Sequence, residues 1–315
     1  MAEAERRFLG EIEAGRDASG PLLARDGARA QLSKSEMEGE ARVALARSAT
    51  MAGLKLTKGQ TAAGTAILAA SDRVVLVQGN AGTGKSSMLL PVSRLVEAEG
   101  RRVVGLAVSN AIAKRLGTEV GIESMTVARF VYQHAVLLDP KASNQQRDAA
   151  ISRLRGSLVI VDEASMLSVR DATKLLQIAN AAGVARVAMV GDSQQLGAVE
   201  AGKPFTQAQL HAATTVMDQN LRARTAEMRS IHDAAQCHDI GGLTRLIGPN
   251  TIEENNIAQS AAQRWVGLSV EDRMRTTIFV TGRSMRAAIN YEVQTLRNER
   301  RELGGETAGT FSAPS

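Results

Sequence analysis

Gly79, Gly84, Lys85 and Ser86 fit the spacing G-x-x-x-x-G-K-[ST], with Gly82 inside it, and the chemistry that spacing serves is the cradling of phosphate. Glycines let successive backbone N–H groups converge on phosphate oxygens, so Gly79, Asn80, Ala81, Gly82, Thr83, Gly84, Lys85, Ser86 and Ser87 form one candidate binding stretch. Lys85 is placed to meet β- and γ-phosphates, and the Ser86 hydroxyl to ligate Mg²⁺. A second pair, Asp162-Glu163, ends the apolar run Leu158-Val159-Ile160-Val161. Asp162 is the expected metal holder through its water shell, and Glu163 the carboxylate that polarises an attacking water.

Particular elements must position these groups. Val74–Val77 is β-branched and apolar and reads as a buried strand, while Met88-Leu89-Leu90 continues the glycine turn as a helix. Arg102–Val108, Ser157–Val161 and Arg186–Val190 read as three more buried strands, the last with the polar tip Gly191–Leu196. Buried apolar strands alternating with helices indicate an α/β class with a parallel sheet. Acids at a strand's carboxyl end then lie on the sheet edge that carries the phosphate loop. Upstream, Thr57 and Gln60 have capping-box spacing, and Gln60 is open to two readings: helix cap, or an amide facing an adenine edge. Gln195 is either a γ-phosphate contact or an ordinary turn residue; Arg222 and Arg224 are either arginine fingers or part of a solvated face.

Elsewhere the chain reads more plainly. Residues 1–53 are a helical lead-in, with Met37, Val43, Leu45 and Met51 as its inward positions. Ser124–Phe130 opens a helix, Asp139–Arg147 is a polar loop, and Ala208–Gly248 is helical. Arg273–Thr281 reads as a fresh strand, followed by a basic amphipathic helix from Arg283 to about Leu303 and a small, polar, frayed end. The 315 residues carry net charge +5 and 3% aromatics, which is compatible with a polyanionic partner held through its backbone more than by ring stacking. No run is apolar enough to span a membrane, and the single cysteine, Cys237, suits the cytoplasm.

Taken in order, Leu56–Gln60, Gly79–Ser86, Asp162–Ser165, Gly191–Leu196 and Leu221-Arg222 resemble the motifs of superfamily-one DNA helicases of the RecD-like branch. The resemblance is nearest to the helicase part of conjugative relaxases of the TraI and TrwC kind, the MobF family, and runs from about Leu54 to Gly305. It implies a RecA-like nucleotide-binding sheet, ATP with magnesium, and 5′-to-3′ travel on single-stranded DNA. It also implies Gln60 as adenine reader, Gln195 as γ-phosphate sensor and Arg222 as finger, with Ser109-Asn110 and the Thr126 region against the DNA backbone. The family often has Pro-Thr where this chain has Val108-Ser109.

The expected organisation is a lead-in over 1–53, a RecA-like ATP-binding domain over 54–207, a helical connection over 208–272 and an incomplete second RecA-like domain over 273–315. The expected partners are single-stranded DNA, the rest of that second domain and an upstream relaxase domain. A fragment with one motor domain should not translocate alone. The competing readings are a RecD-type recombination helicase subunit and a non-hydrolysing, nucleotide-gated DNA-binding module.

Overall fold

The computed structural model describes residues 2–23, 33–194, 202–223, 225–248 and 254–303. Gln195 and Arg224, and the frayed end expected from 304, lie outside them. The chain divides into two units, Met1–Arg229 and Ser230–Ser315.

Helices α1 (Ala2–Ala14), α2 (Lys34–Met51) and α3 (Lys58–Ala69) precede strand β1 (Val74–Gly79). There follow α4 (Lys85–Ala98), β2 (Val103–Ala107), α5 (Asn110–Val120), β3 (Glu123–Thr126), α6 (Val127–Gln133) and α7 (Asn144–Leu154). Then come β4 (Leu158–Val161), α8 (Val169–Ala182), β5 (Arg186–Gly191), α9 (Pro204–Ala208) and β6 (Thr214–Met217). The six strands form one sheet in the order β3-β2-β4-β5-β1-β6, and each of its pairings is parallel.

Strand alternation sends side chains to two cores, as a parallel sheet covered on both faces requires. Val74, Leu76, Val159, Val161, Val187 and Met189 meet α1 and α8 on one face. Val75, Val77, Leu158, Ile160, Ala188 and Val190 meet α3 and α4 on the other. The expected α/β architecture with a parallel sheet flanked by helices is what the structure has.

Several local expectations give way. On α2 the inward stripe is Met37, Ala41, Leu45 and Ala49, whereas Val43 and Met51 are 55% and 85% exposed. The stripe follows the helical period through alanines, so small residues face α3 where larger ones were expected. Ser124 lies in β3, because the segment pairs with β2 before Thr126 caps α6. The loop at 139–147 is shorter than expected, since Ser143 and Gln146 form a capping box that starts α7. Within 208–248, Thr214–Met217 is an edge strand beside β1, a role its β-branched residues suit.

The lead-in is stitched to the sheet. Ser19 N–H donates to Ser71 O at 2.9 Å, Leu22 N–H to Leu68 O at 2.8 Å and Arg73 N–H to Gly15 O at 2.7 Å. Arg186, wholly buried at the start of β5, donates to the carbonyls of Gly20, Ile67 and Ala70.

His134 follows α6 and is 8% exposed, its ring 4.7 Å from that of Phe130. Burial first, then Arg102 and Arg153, hold its pKa below the ordinary 6.5. The unfolded chain therefore takes up a proton near 6.5 that the folded chain still refuses, and stability falls as pH drops through that value. Melting temperatures measured between pH 8 and 5 will show a steeper acid-side decline for the wild type than for His134→Gln, and parallel curves would refute this.

In the second unit, α11 (Ile240–Ile247), α12 (Ile257–Gly267), α13 (Val270–Arg275) and α14 (Arg283–Glu299) follow α10 (Ala226–Gln236), which begins just before it. Among its described residues, Ala258, Ala262, Val266 and Ile289 are the buried apolar ones. The strand expected over Arg273–Thr281 is not formed: its start belongs to α13, and the rest is irregular. Trp265 Nε1 donates to Thr276 O at 3.0 Å, but among the described residues no strand lies alongside, and an extended segment without a partner makes no ladder. Among the described residues no helix is long and apolar enough to cross a membrane.

Candidate nucleotide-binding site

The loop between β1 and α4 takes its shape from two left-handed glycines, Gly82 at φ 82° and Gly84 at φ 73°. Gly84 is the N-cap of α4, and no side chain caps that helix's first turn. Its leading N–H groups thus face the cleft beside a positive dipole end, an arrangement made for an anion. Thr83 braces the loop from inside, its hydroxyl donating to Asn80 O at 2.8 Å. Leu221 N–H donates to Gly82 O at 2.9 Å, and Asn220 Oδ1 accepts from the N–H groups of Arg222 and Ala223. That turn places Arg222 among the cleft's lining residues, where its side chain is exposed.

Lys85, Glu163, Asp162 and Ser86 share the cleft, whose volume is about 790 Å³, the size of a small-ligand pocket. Its other lining residues include Ala81, Ser87, Arg115, Glu119 and Leu221. Lys85 Nζ donates to Gly79 O at 3.3 Å and lies 3.6 Å from Glu163 Oε2. Asp162 and Glu163 reach this edge although β5 separates β4 from β1. Glu163 has φ 51°, an uncommon conformation for a non-glycine residue, and it begins a tight turn over Ala164–Met166. Asp162 Oδ1 accepts from Glu163 N–H at 3.0 Å. Burial, then the neighbouring Glu163 charge, raises the Asp162 pKa above its ordinary 3.8, with Lys85 pulling the other way. Such a carboxylate gains from a cation near its Oδ2. A serine hydroxyl beside a carboxylate is a hard-oxygen donor set, which fits magnesium.

Gln60 is 1% exposed and its amide is fully committed within the chain. Oε1 accepts from Thr57 N–H at 2.8 Å, completing the capping box, while Nε2 donates to Thr83 O at 2.9 Å and Gly84 O at 3.0 Å. With both Nε2 protons taken, only the second lone pair of the buried Oε1 is left for an adenine edge. Gln60→Ala is therefore expected to cost about 1–2 kcal/mol of stability and to weaken ATP and GTP binding by equal factors. Titration of both nucleotides checks this, and a loss confined to ATP would instead favour the adenine-reading role.

Ser109 and Thr126 stand at the carboxyl ends of β2 and β3. Their hydroxyls cap helices, accepting from Ile112 N–H at 3.3 Å and Arg129 N–H at 3.2 Å. The polar tip after β5 is tied to β1: Asp192 Oδ1 accepts from Gln78 Nε2 at 3.0 Å, and Gln78 Oε1 accepts from Ser193 N–H at 3.1 Å. Sequence reasoning missed Gln78, Arg115 and Glu119. Gln78 is the one polar side chain in an otherwise apolar strand run, a signal that could have been used. Arg115 and Glu119 sit on a helix face that reads as solvated. The cations Lys85, Arg115 and Arg222 match the acids Glu119, Asp162 and Glu163 in number, so the lining carries no net side-chain charge. A polyanion here would be held by backbone N–H groups and by local contacts such as Lys85, not by an excess of positive lining charge.

A family profile described as "AAA domain" matches residues 55–255. The multifunctional conjugation protein TraI of Escherichia coli K12 is 33% identical over 180 residues, 56% of this chain and 10% of TraI. The ATP-dependent RecD2 DNA helicase of Deinococcus radiodurans is 35% identical over 155 residues, 47% of this chain and 19% of that protein. The chain thus spans a tenth to a fifth of these relatives. The AMPPCP-bound DnaA of Aquifex aeolicus aligns over 72% of this chain and 82% of its own, with 11% identity and a TM-score of 0.29. The similarity to conjugation proteins and RecD-type helicases agrees with the resemblance carried by the ordered motifs.

Proposed function

The chain belongs to the AAA domain family, and from that premise we propose that it is the ATP-binding and ATP-hydrolysing motor core of a single-stranded-DNA-dependent helicase of the conjugative relaxase–helicase kind. The observation that carries this reading is the convergence of Lys85, Ser86, Asp162 and Glu163 on one cleft at the uncapped start of α4.

Each group has a definite task. The α4 N–H groups and Lys85 bind and orient the phosphates, Lys85 exchanging its 3.6 Å contact with Glu163 for a phosphate oxygen. Ser86 and, through its water shell, Asp162 would hold magnesium, which would supply charge neutralisation to the phosphates. Glu163 holds the attacking water by one carboxylate oxygen and takes its proton as the water's bond to the γ-phosphorus forms and the bond to the β,γ-bridging oxygen breaks, releasing ADP and phosphate. Arg222, anchored by Asn220 beside Gly82, steadies charge on the terminal phosphate. Gln195 is assigned the γ-phosphate contact that the family resemblance implies. Strand unwinding, with 5′-to-3′ direction, is assigned to this domain acting with a second domain of the same kind. A recombination subunit of the RecD type shares the same cleft chemistry and differs in its partner domains.

The test is phosphate release as single-stranded DNA is titrated at each of several fixed salt concentrations. Turnover should rise with DNA, and the stimulation should weaken as salt rises, because backbone contacts release counterions. Nucleotide binding that responds to DNA without any phosphate release would replace the motor with a nucleotide-gated binding module.

A further inference from the structure

Helix α5 presents Arg115 and Glu119, four residues apart and hence on one face, to the same cleft. Arg115 Nη2 lies 3.7 Å from Asp162 Oδ2 and 3.8 Å from Glu163 Oε1. One turn further on, a Glu119 carboxylate oxygen accepts the Ser86 hydroxyl proton. So one helix reaches the acid pair after β4 with its first charge and the opening turn of α4 with its second. Packing against β2, β3 and α4 fixes it between them.

The Ser86 bond has a chemical consequence. A hydroxyl has one proton and two lone pairs, and the proton's partner decides where the lone pairs aim. A serine in the first turn of a helix can also turn its proton toward backbone carbonyls. Here a charged acceptor takes it, and a charge-assisted bond is about twice as strong as a neutral one. The oxygen is thereby left acceptor-only toward the cleft, as a metal ligand must be. Asp162 does not do this work, because its Oδ1 accepts Glu163 N–H and its Oδ2 faces Arg115.

We propose that Glu119 is a positioning residue of the magnesium–nucleotide site, holding the Ser86 hydroxyl with its lone pairs toward the metal while Arg115 anchors the same helix to the acid pair. The inference rests on the nucleotide-site reading above. It assigns Glu119 no contact with nucleotide or metal; it acts through Ser86.

The test is binding of a fluorescent ATP analogue to the full chain, with magnesium and with EDTA. Glu119→Ala should weaken binding about tenfold with magnesium, the lower end for a residue that orients a metal ligand, and leave binding in EDTA within about twofold. Glu119→Gln keeps an oxygen acceptor and should recover most of the loss. Equal weakening in both conditions would mark a merely structural residue and overturn the proposal. Tighter binding with magnesium would also overturn it, making Glu119 a competitor for the hydroxyl. Failure of the wild type to bind the analogue in either condition would refute the nucleotide site itself. Wild-type binding that needs magnesium, with Glu119→Ala unchanged, would refute the Glu119 proposal alone.

Discussion

Replacing Glu163 by glutamine is expected to lower ATP turnover by about a hundredfold to ten-thousandfold, the range for loss of a general base, while nucleotide binding is retained. The side chain is 16% exposed and held between Lys85 at 3.6 Å and Arg115 at 3.8 Å. Glutamine reproduces its shape, so the left-handed turn and its neighbours persist. It cannot take a proton from water. Lys85→Ala removes a different function, and there the expected loss appears in binding as well, about tenfold or more from the missing charged contact. The two variants therefore separate along different axes: turnover without affinity for Glu163→Gln, both together for Lys85→Ala. Equilibrium nucleotide binding and single-turnover phosphate release on the same preparations check the pattern. Turnover by both variants that matches the wild type would remove hydrolysis from this cleft.

The second large effect concerns stability. Arg186→Ala is expected to lower the free energy of unfolding by about 3–5 kcal/mol, measured by denaturant titration without nucleotide. Arg186 is wholly buried, and burial pulls its guanidinium pKa down to about 10. Its charge is thus retained against a desolvation penalty, offset by bonds to Ile67 O at 3.0 Å, Gly20 O at 3.2 Å and Ala70 O. Truncation would recover the penalty but leave a void and three carbonyls without this donor, and the void and lost bonds dominate. Those carbonyls belong to the lead-in and to the end of α3, so the loss should also loosen the lead-in from the sheet. Amide hydrogen exchange at Ser19 and Leu22, whose N–H groups are bonded to Ser71 and Leu68, should accelerate in the variant. A stability change below about 1 kcal/mol would show that the lead-in is held by its apolar contacts and backbone bonds without help from Arg186.

What could be read from the chain alone is tied to short-range spacing. The glycine pattern, the lysine and serine after it, and an acid pair after four apolar residues specify a strand–turn–helix and a strand tip on one edge of a parallel sheet. These determine the kind of ligand without knowledge of which strands are neighbours. The Thr57–Gln60 capping box was legible for the same reason. Other features depended on partners distant in sequence. The insertion of β5 between the two chemical strands, the addition of Thr214–Met217 at the edge and the failure of 276–281 to become a strand were settled by pairing. Thr214–Met217 found β1 beside it; 276–281 has no such neighbour among the described residues. The commitment of Gln60 to two loop carbonyls, and the placing of the exposed Arg115 and Glu119 among the cleft's lining residues, were decided only when α3 and α5 packed against the sheet. Local spacing settles which groups are available because it acts through neighbouring bonds, whereas what each group faces is set by elements that meet only in the folded chain.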